Sequence, residues 1–155
     1  MADHPLDNTD RRLLKLLQEH ARLPNVELAE WAGLTTSTCH RRLSALEQAG
    51  LVRRYAAVLD REKLGFNLVV FLEVALARKD PEATRAFQAA IANRPEVLEC
   101  HVMTGEYDYL LRIVVPDIAA YRQFVMEDLL SMPGVDKTRS AISLGEVKYS
   151  TALPL

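Results

Sequence analysis

The stretch that decides the fold of the first part of the chain runs from Gly33 to Gly50 and reads GLTTSTCHRRLSALEQAG. Thr35 is placed to cap a helix that ends at Ala49, and the following glycine favours termination. With residues about 100° apart around a helix, three apolar side chains fall within one narrow arc. This arc, predicted to be buried, consists of Cys39, Leu43 and Leu46.

The opposite side of this predicted helix carries Ser37, Arg41 and Ser44 at spacings of i, i+4 and i+7. A solvated face normally uses Glu and Lys, because these residues raise helix propensity and form i,i+4 pairs. Serine is a poor helix former, so helix propensity does not account for its use here. Short hydroxyls allow close approach to base edges, and arginine pairs bidentately with guanine in the major groove. The pattern therefore predicts a helix that reads DNA.

Two shorter helices are predicted upstream. Asp7 is a plausible N-cap with Asp10 at the N3 position, and Asn25 is predicted to cap the second helix. Gly33 lies where a left-handed residue would end that helix, and Trp31 is predicted to belong to the core. Two short helices joined by a turn of about four residues that contains glycine form a helix-turn-helix.

Basic residues cluster around the predicted reading helix, since residues 39–54 contain four arginines and a single glutamate. Arg42 lies on the flank of the helix, and Arg53 and Arg54 follow its end, where phosphates would run. His40 is explained equally well as an exposed polar side chain and as a contact to a base or a phosphate. The predicted DNA contacts are Thr36, Ser37, Thr38, His40, Arg41, Arg42, Ser44, Arg53 and Arg54.

The totals of the 155-residue chain exclude several classes of protein. A net charge of -2 argues against a uniformly basic protein, and 49% hydrophobic residues indicate a globular fold. Cys39 and Cys100 are predicted to be buried free thiols, with no disulfide or metal site. The N-terminus lacks the features of a signal peptide, and the most apolar segment is too short to cross a bilayer, so we expect a cytoplasmic protein.

The periodicity changes after residue 60, which predicts two domains, residues 1–60 and 61–155. From residue 68 the pattern predicts, in order, a strand (68–77), a helix (81–94), two strands (97–104 and 107–115), a helix (118–132) and a strand (135–149). This βαββαβ order is that of the ferredoxin-like arrangement. The predicted fold class is therefore α+β, with a helix-turn-helix domain followed by a ferredoxin-like domain.

The loop MTGEYDY, residues 103–109, joins the two middle strands. Gly105 supplies the positive φ of a tight hairpin. Asp108 is unusual because it interrupts an apolar strand, where carboxylates are depleted. A carboxylate beside exposed backbone N–H groups suits an α-amino acid: the carboxylate accepts from the ammonium, and the amides donate to the ligand's carboxylate.

Together these motifs resemble the leucine-responsive and asparagine-responsive (Lrp/AsnC) regulators of bacteria and archaea. The resemblance is carried by residues 6–66, by VLECHVMTGEYDYLLRIVV (97–115) and by GEVKYSTALPL (145–155). It implies a winged-type helix-turn-helix that binds double-stranded DNA, and a ferredoxin-like sensor domain. It also implies homodimers built through the sensor domains, often assembled to octamers. One departure concerns residues 35–39, TTSTC, where many relatives have Ser-Pro-x-Pro-Cys; the absent proline leaves the target sequence open.

The resemblance further implies that free amino acids bind between sensor domains, in a pocket that this loop lines. Met103 favours a leucine-like or methionine-like side chain. The effector-binding residues implied by position are Met103, Thr104, Gly105, Tyr107 and Asp108, with Thr138 and Ser140 in the pocket wall that a neighbouring subunit supplies.

Three functions stay open at this point. The first is a transcription regulator that responds to an amino acid, and the second is a nucleoid-associated architectural protein of the same fold without an effector. The third is an enzyme. The sequence shows no nucleophile and base pair, no metal-ligand cluster and no phosphate loop, so we predict no catalytic residue, no metal and no cofactor.

Overall fold

The computed structural model describes residues 6–78 and 80–155. Contacts divide this chain into two compact units. The first unit comprises the residues up to 58 together with 148–155, and the second unit comprises residues 59–147. The predicted domains, residues 1–60 and 61–155, stay a prediction; contacts divide the chain next to residue 59 and group residues 148–155 with the first unit. The prediction that the N-terminus is not a signal peptide concerns in part residues 1–5, which lie outside the described residues.

The first unit contains three helices: α1 (Asn8–Glu19), α2 (Asn25–Ala32) and α3 (Thr36–Gln48). The N-cap of α1 is Asp7, whose carboxylate accepts the Asp10 N–H at 2.7 Å within a capping box. The α2 N-cap is Pro24, so the prediction that Asn25 caps this helix was wrong by one residue. Gly33 ends α2 with φ 68°, as predicted.

The core of the first unit lies between these helices. Its fully buried members come from all three: Leu13, Leu28, Cys39 and Leu46. Trp31 is 44% exposed, which corrects its assignment to the core. The buried side of the short helix α2 is already filled by Leu28, Ala29 and Ala32, so the indole lies at its edge. There it meets the His20 ring edge-on, with centroids 5.0 Å apart.

The second unit is a four-stranded antiparallel sheet with helices on one face. Its elements are β1 (Leu68–Leu76), α4 (Pro81–Ala92), β2 (Val97–Val102), β3 (Tyr109–Val115), α5 (Ile118–Gln123), continued by a π-helical segment (Phe124–Leu129), and β4 (Val135–Ile142). The strand order β2-β3-β1-β4 confirms the predicted ferredoxin-like arrangement. The last strand ends at Ile142, seven residues earlier than predicted, and the π-helical segment was not predicted.

Strand alternation divides the residues of this sheet between two faces. One face packs beneath the helices, with Val70, Leu72 and Val74 of β1 fully buried. The other, here called the open face, carries the alternate residues, including Phe71 and Glu73. Because no described element of the second unit packs over it, Phe71 remains 40% exposed.

Cys100 is exposed, which corrects the prediction of two buried thiols. It lies on β2, an edge strand along which five of six residues are exposed. Cys39 is fully buried as predicted, and burial raises the pKa of its thiol. No helix in residues 6–78 and 80–155 has the length and apolar character needed to span a membrane.

Candidate DNA-binding face and effector cavity

Helix α3 has the two faces that its sequence predicts. Cys39, Leu43 and Leu46 are buried, whereas Ser37 and Arg41 are exposed. Among the residues that the structure describes, Arg41 forms neither an ion pair nor a side-chain hydrogen bond. Its charge is therefore uncompensated within the unit and available to an external anion. The exposed Thr36, Ser37 and Arg41 are here called the reading face.

The first turn of α3 is closed by side chains in the absence of proline. The Thr35 side chain accepts the Thr38 N–H at 3.3 Å, which confirms the predicted N-cap. Its hydroxyl also donates to Thr38 Oγ1 at 2.9 Å. Thr38 is half-buried and hydrogen-bonded to the N-cap residue Thr35. The exposed residues of this turn that belong to the reading face are therefore Thr36 and Ser37.

Arg42 makes contacts that differ from those predicted. Its Nη1 lies 2.8 Å from a carboxylate oxygen of Asp7 and 2.8 Å from one of Asp10. These contacts hold α3 to the capping box of α1, and the two carboxylates raise the pKa of Arg42 further. Its positive charge is therefore already matched inside the first unit, and the predicted phosphate contact of Arg42 stays a prediction.

Arg53 and Arg54 follow α3 and are exposed, in keeping with their predicted position. Over the described chain neither has an ion-pair partner. Glu47, the acid between these arginines and Arg41, accepts a hydrogen bond from the Tyr55 hydroxyl at 2.7 Å. Desolvation, and then this bond, raise the pKa of Tyr55 to about 12.

Ser44, predicted on the outward side of α3, is half-buried, whereas His40 is exposed. The His40 Nδ1 is 3.4 Å from the side-chain nitrogen of Asn25, at the start of α2. Both His40 and Ser44 also line a cavity of about 290 Å³ between the helices of the first unit. They border the reading face, which leaves Arg41 as its central charged residue.

A second cavity, of about 190 Å³, lies at the hairpin between β2 and β3, and is here called the hairpin cavity. Its lining residues are Glu73, Met103, Thr104, Glu106, Tyr107 and Arg139. Three of the seven predicted effector residues, Met103, Thr104 and Tyr107, are therefore brought together in one wall. Gly105 lies in the same loop with φ 117°, a conformation that favours glycine.

Asp108 does not line the hairpin cavity. Its Oδ2 accepts the Leu76 N–H at 2.9 Å, and its own N–H donates to the Val74 carbonyl at 2.9 Å. The Asp108 carbonyl in turn accepts the Met103 N–H at 2.8 Å. The carboxylate thus fixes the loop to β1, which explains an acid in an apolar strand without reference to a ligand.

Thr138 and Ser140 are also absent from the hairpin cavity lining. They pair in register with Val74 and Leu72, which belong to the core beneath the helices. Because directly paired residues share a face of the sheet, both side chains lie on the helix side. Ser140 Oγ is 2.6 Å from the Tyr121 hydroxyl there.

Arg139, between them, lies on the open face, and sequence reasoning missed it. The period of two along a strand places Arg139 opposite its neighbours and would have identified it. Arg139 pairs in register with Glu73, and the two side chains form an ion pair. Its guanidinium carbon also lies 5.3 Å from the centre of the Tyr107 ring. At the rim, Lys137 is 3.7 Å from Glu106.

Comparisons with known proteins assign a class to each unit. Residues 6–53 match a family model described as winged helix-turn-helix DNA-binding. Residues 69–153 match the model of the Lrp/AsnC ligand binding domain. The combination of a DNA-binding helix-turn-helix with a ligand-binding domain defines a transcription regulator rather than an enzyme.

Similar proteins cover nearly the whole chain. The leucine-responsive regulatory protein of Salmonella typhimurium is 41% identical over 148 residues, covering 96% of this chain and 90% of its own. A crystal structure of a Neisseria meningitidis transcriptional regulator in complex with L-Met matches with a TM-score of 0.93 and 45% identity, covering 97% of both chains. An AsnC family transcriptional regulator from Agrobacterium tumefaciens matches with a TM-score of 0.92 and 38% identity, over 96% of this chain and 97% of that one. The chain belongs to the Lrp/AsnC family of transcription regulators.

Proposed function

We propose that this regulator reads an operator in double-stranded DNA with α3 and responds to L-methionine or L-leucine bound at the hairpin cavity. The proposal of DNA binding rests on one observation, the uncompensated charge of Arg41 on an exposed face of α3. Arginine in this position can pair with guanine in the major groove, and the short side chains beside it allow close approach.

The proposed DNA contacts fall into two groups. Base edges are contacted from the reading face, with His40 and Ser44 at its border and Thr38 contributing through the cap. Phosphates are contacted by Arg53 and Arg54, which lie beyond the end of α3 and are exposed. Arg42 is left out of this set because its charge is matched by Asp7 and Asp10.

The effector half rests on the hairpin cavity and on the two relatives. Met103 is 44% exposed and provides an adaptable apolar wall for an unbranched or branched aliphatic side chain. The Neisseria protein was solved with L-Met, and the Salmonella protein is named for its response to leucine. The predicted role of Asp108, acceptance of the ligand's ammonium group, stays a prediction, as do the predicted contacts of Gly105, Thr138 and Ser140.

We further propose that the protein acts as a homodimer that assembles to an octamer, in the cytoplasm. The open face supports this assembly, because Phe71 there is 40% exposed. Leu144 and Val147, after β4, are also fully exposed, and a subunit interface would remove their apolar side chains from water. Binding of an effector between subunits would shift the oligomeric equilibrium and with it the spacing of the reading helices.

The test is selection of binding sites from random DNA by the full-length protein, with and without L-methionine or L-leucine, followed by sedimentation velocity under the same conditions. We expect one enriched sequence motif, and a change in DNA affinity or sedimentation with one of the two amino acids.

Absence of an enriched motif would contradict sequence-specific reading. An enriched motif, with DNA affinity and sedimentation unchanged by L-methionine and L-leucine, would contradict the proposed effectors. If the other eighteen amino acids also had no effect, the result would identify a DNA-binding protein without an effector.

A further inference from the structure

The wall of the hairpin cavity contains a charged pair whose role the proposed function does not specify. Glu73 of β1 and Arg139 of β4 are register partners on adjacent antiparallel strands, and their side chains form an ion pair. Both residues line the cavity. A negative and a positive group therefore lie side by side where a ligand would enter.

We infer that this pair is the binding point for the two charges of the amino-acid effector. The α-carboxylate binds the Arg139 guanidinium and the α-ammonium binds the Glu73 carboxylate, so that the ligand takes the place of the ion pair. A guanidinium presents parallel N–H donors that match a carboxylate, which makes Arg139 suited to this role. The inference rests on the proposed function, because it takes the hairpin cavity as the effector site.

Opening the ion pair to admit a ligand costs little. The Arg139 side chain is 65% exposed and that of Glu73 is 28% exposed, and ion pairs that solvent reaches contribute little to stability. In the complex each of the two charges again has an opposite partner. A ligand with only one charge would leave either Glu73 or Arg139 without a partner, so the arrangement selects a zwitterion over an amine or an acid.

The size of the cavity agrees with a single amino acid. Its volume of about 190 Å³ lies below the range of about 300–1,000 Å³ that is usual for drug-sized ligands. The Tyr107 ring lies 5.3 Å from the Arg139 guanidinium carbon, and a cation–π contact of this kind holds the guanidinium over one spot. Met103 is left to contact the ligand's side chain.

The remaining charges near the cavity do not disturb this balance. Glu106 lines the cavity and lies 3.7 Å from Lys137, which forms a second opposite-charge pair at the rim. With Glu73 and Arg139 the four groups sum to zero formal charge. A cavity with no net charge favours a net-neutral zwitterion.

The test is calorimetry on the full-length protein, with the amino acid that binds best and two analogues of it: the amine that lacks the carboxylate and the acid that lacks the ammonium. We expect the wild-type protein to bind each analogue about 10- to 100-fold more weakly than the amino acid. Arg139→Gln should lose its preference for the amino acid over the amine. Glu73→Gln should lose its preference for the amino acid over the acid.

Matched controls separate ligand binding from strand pairing. Glu99 and Arg112 form another cross-strand ion pair, at 2.8 Å, that does not line the cavity. Glu99→Gln and Arg112→Gln should therefore bind the amino acid with wild-type affinity. The exchanged double variant E73R/R139E can re-form the pair with its charges reversed, and should remain weak-binding. Recovery of wild-type affinity in the exchanged variant would show that the pair only joins the strands, and would overturn the inference.

The outcomes distinguish this inference from the function on which it rests. If no amino acid binds the wild-type protein, the proposed function and the inference both fail. If one binds and Glu73→Gln and Arg139→Gln leave its affinity unchanged, the inference fails and the proposed function stands. If Asp108→Asn lost amino-acid binding while Glu73→Gln kept it, the ligand's ammonium group would be assigned to Asp108. The asparagine can still accept the Leu76 N–H, so such a loss would not come from release of the loop.

Discussion

The reading face of α3 and the hairpin cavity differ in whether their charged side chains are paired within the protein. Arg41 forms no ion pair within the described part of the chain, whereas the cavity pairs Glu73 with Arg139 and Glu106 with Lys137. DNA is a polyanion, so a surface that binds it needs positive charge that the protein itself does not neutralise. An amino acid is a zwitterion, so a site that carries both signs in equal number matches its charges. The pattern of internal ion pairs therefore indicates which kind of ligand each region takes.

The largest expected effect comes from removing the uncompensated charge. We predict that Arg41→Ala lowers the preference for the selected operator over random DNA by about 10- to 100-fold, because a bidentate guanine contact is lost. Competition binding against both DNAs measures this ratio. Arg11→Ala is the control, since Arg11 is an exposed arginine of α1 outside the reading face. A similar loss on specific and random DNA in both variants would show that Arg41 acts only through its charge.

A smaller effect is expected at the neighbouring arginine, which is paired. We predict that Arg42→Ala lowers the midpoint of thermal unfolding by roughly 2–5 °C, because Asp7 and Asp10 lose their common cation. The dependence of DNA affinity on salt concentration should remain unchanged, since no phosphate contact is lost. Calorimetric melting and a salt titration of binding measure the two quantities. If Arg42→Ala reduced the salt dependence of DNA affinity and left the midpoint of thermal unfolding unaltered, Arg42 would be a phosphate contact instead.

The smallest effect concerns pH and the paired acid Glu47. The pKa of Tyr55 is raised to about 12, above the value near 10 of an unfolded tyrosine. A raised pKa means that the folded state holds its proton longer, so this contribution is complete below about pH 10 and is lost as pH rises toward about 12. We predict that the stability difference between wild type and Tyr55→Phe shrinks over that interval. Urea unfolding of both proteins across it provides the measurement, and a constant difference would disprove the pKa assignment.

Local patterns in the sequence were enough to predict much of the fold. Helical spacing located the buried side of α3, capping residues located the starts of α1 and α3, and the alternation of apolar residues gave the βαββαβ order. Each of these features depends on residues a few positions apart, where spacing fixes geometry. The hairpin loop was found for the same reason, since Gly105 and the acid beside it are local signals.

Contacts between distant residues were not predictable in this way. Arg42 meets Asp7 and Asp10 only after three helices have packed, and nothing near Arg42 in the sequence indicates those partners. The exposure of Cys100 depends on β2 being an edge strand, which is a property of the whole sheet. Arg139 was missed although strand parity was available, because the prediction took residues by position in the family rather than by face.

The return of the C-terminal segment has a practical consequence for altering the protein. Residues 148–155 belong by contacts to the first unit, where the Gln18 side chain both donates to the Leu153 carbonyl and accepts the Leu153 N–H. By contacts the chain thus enters the second unit at residue 59 and returns to the first unit at residue 148. A substitution within residues 148–155 therefore alters the first unit, and a fragment ending at residue 58 lacks a segment that this unit contacts.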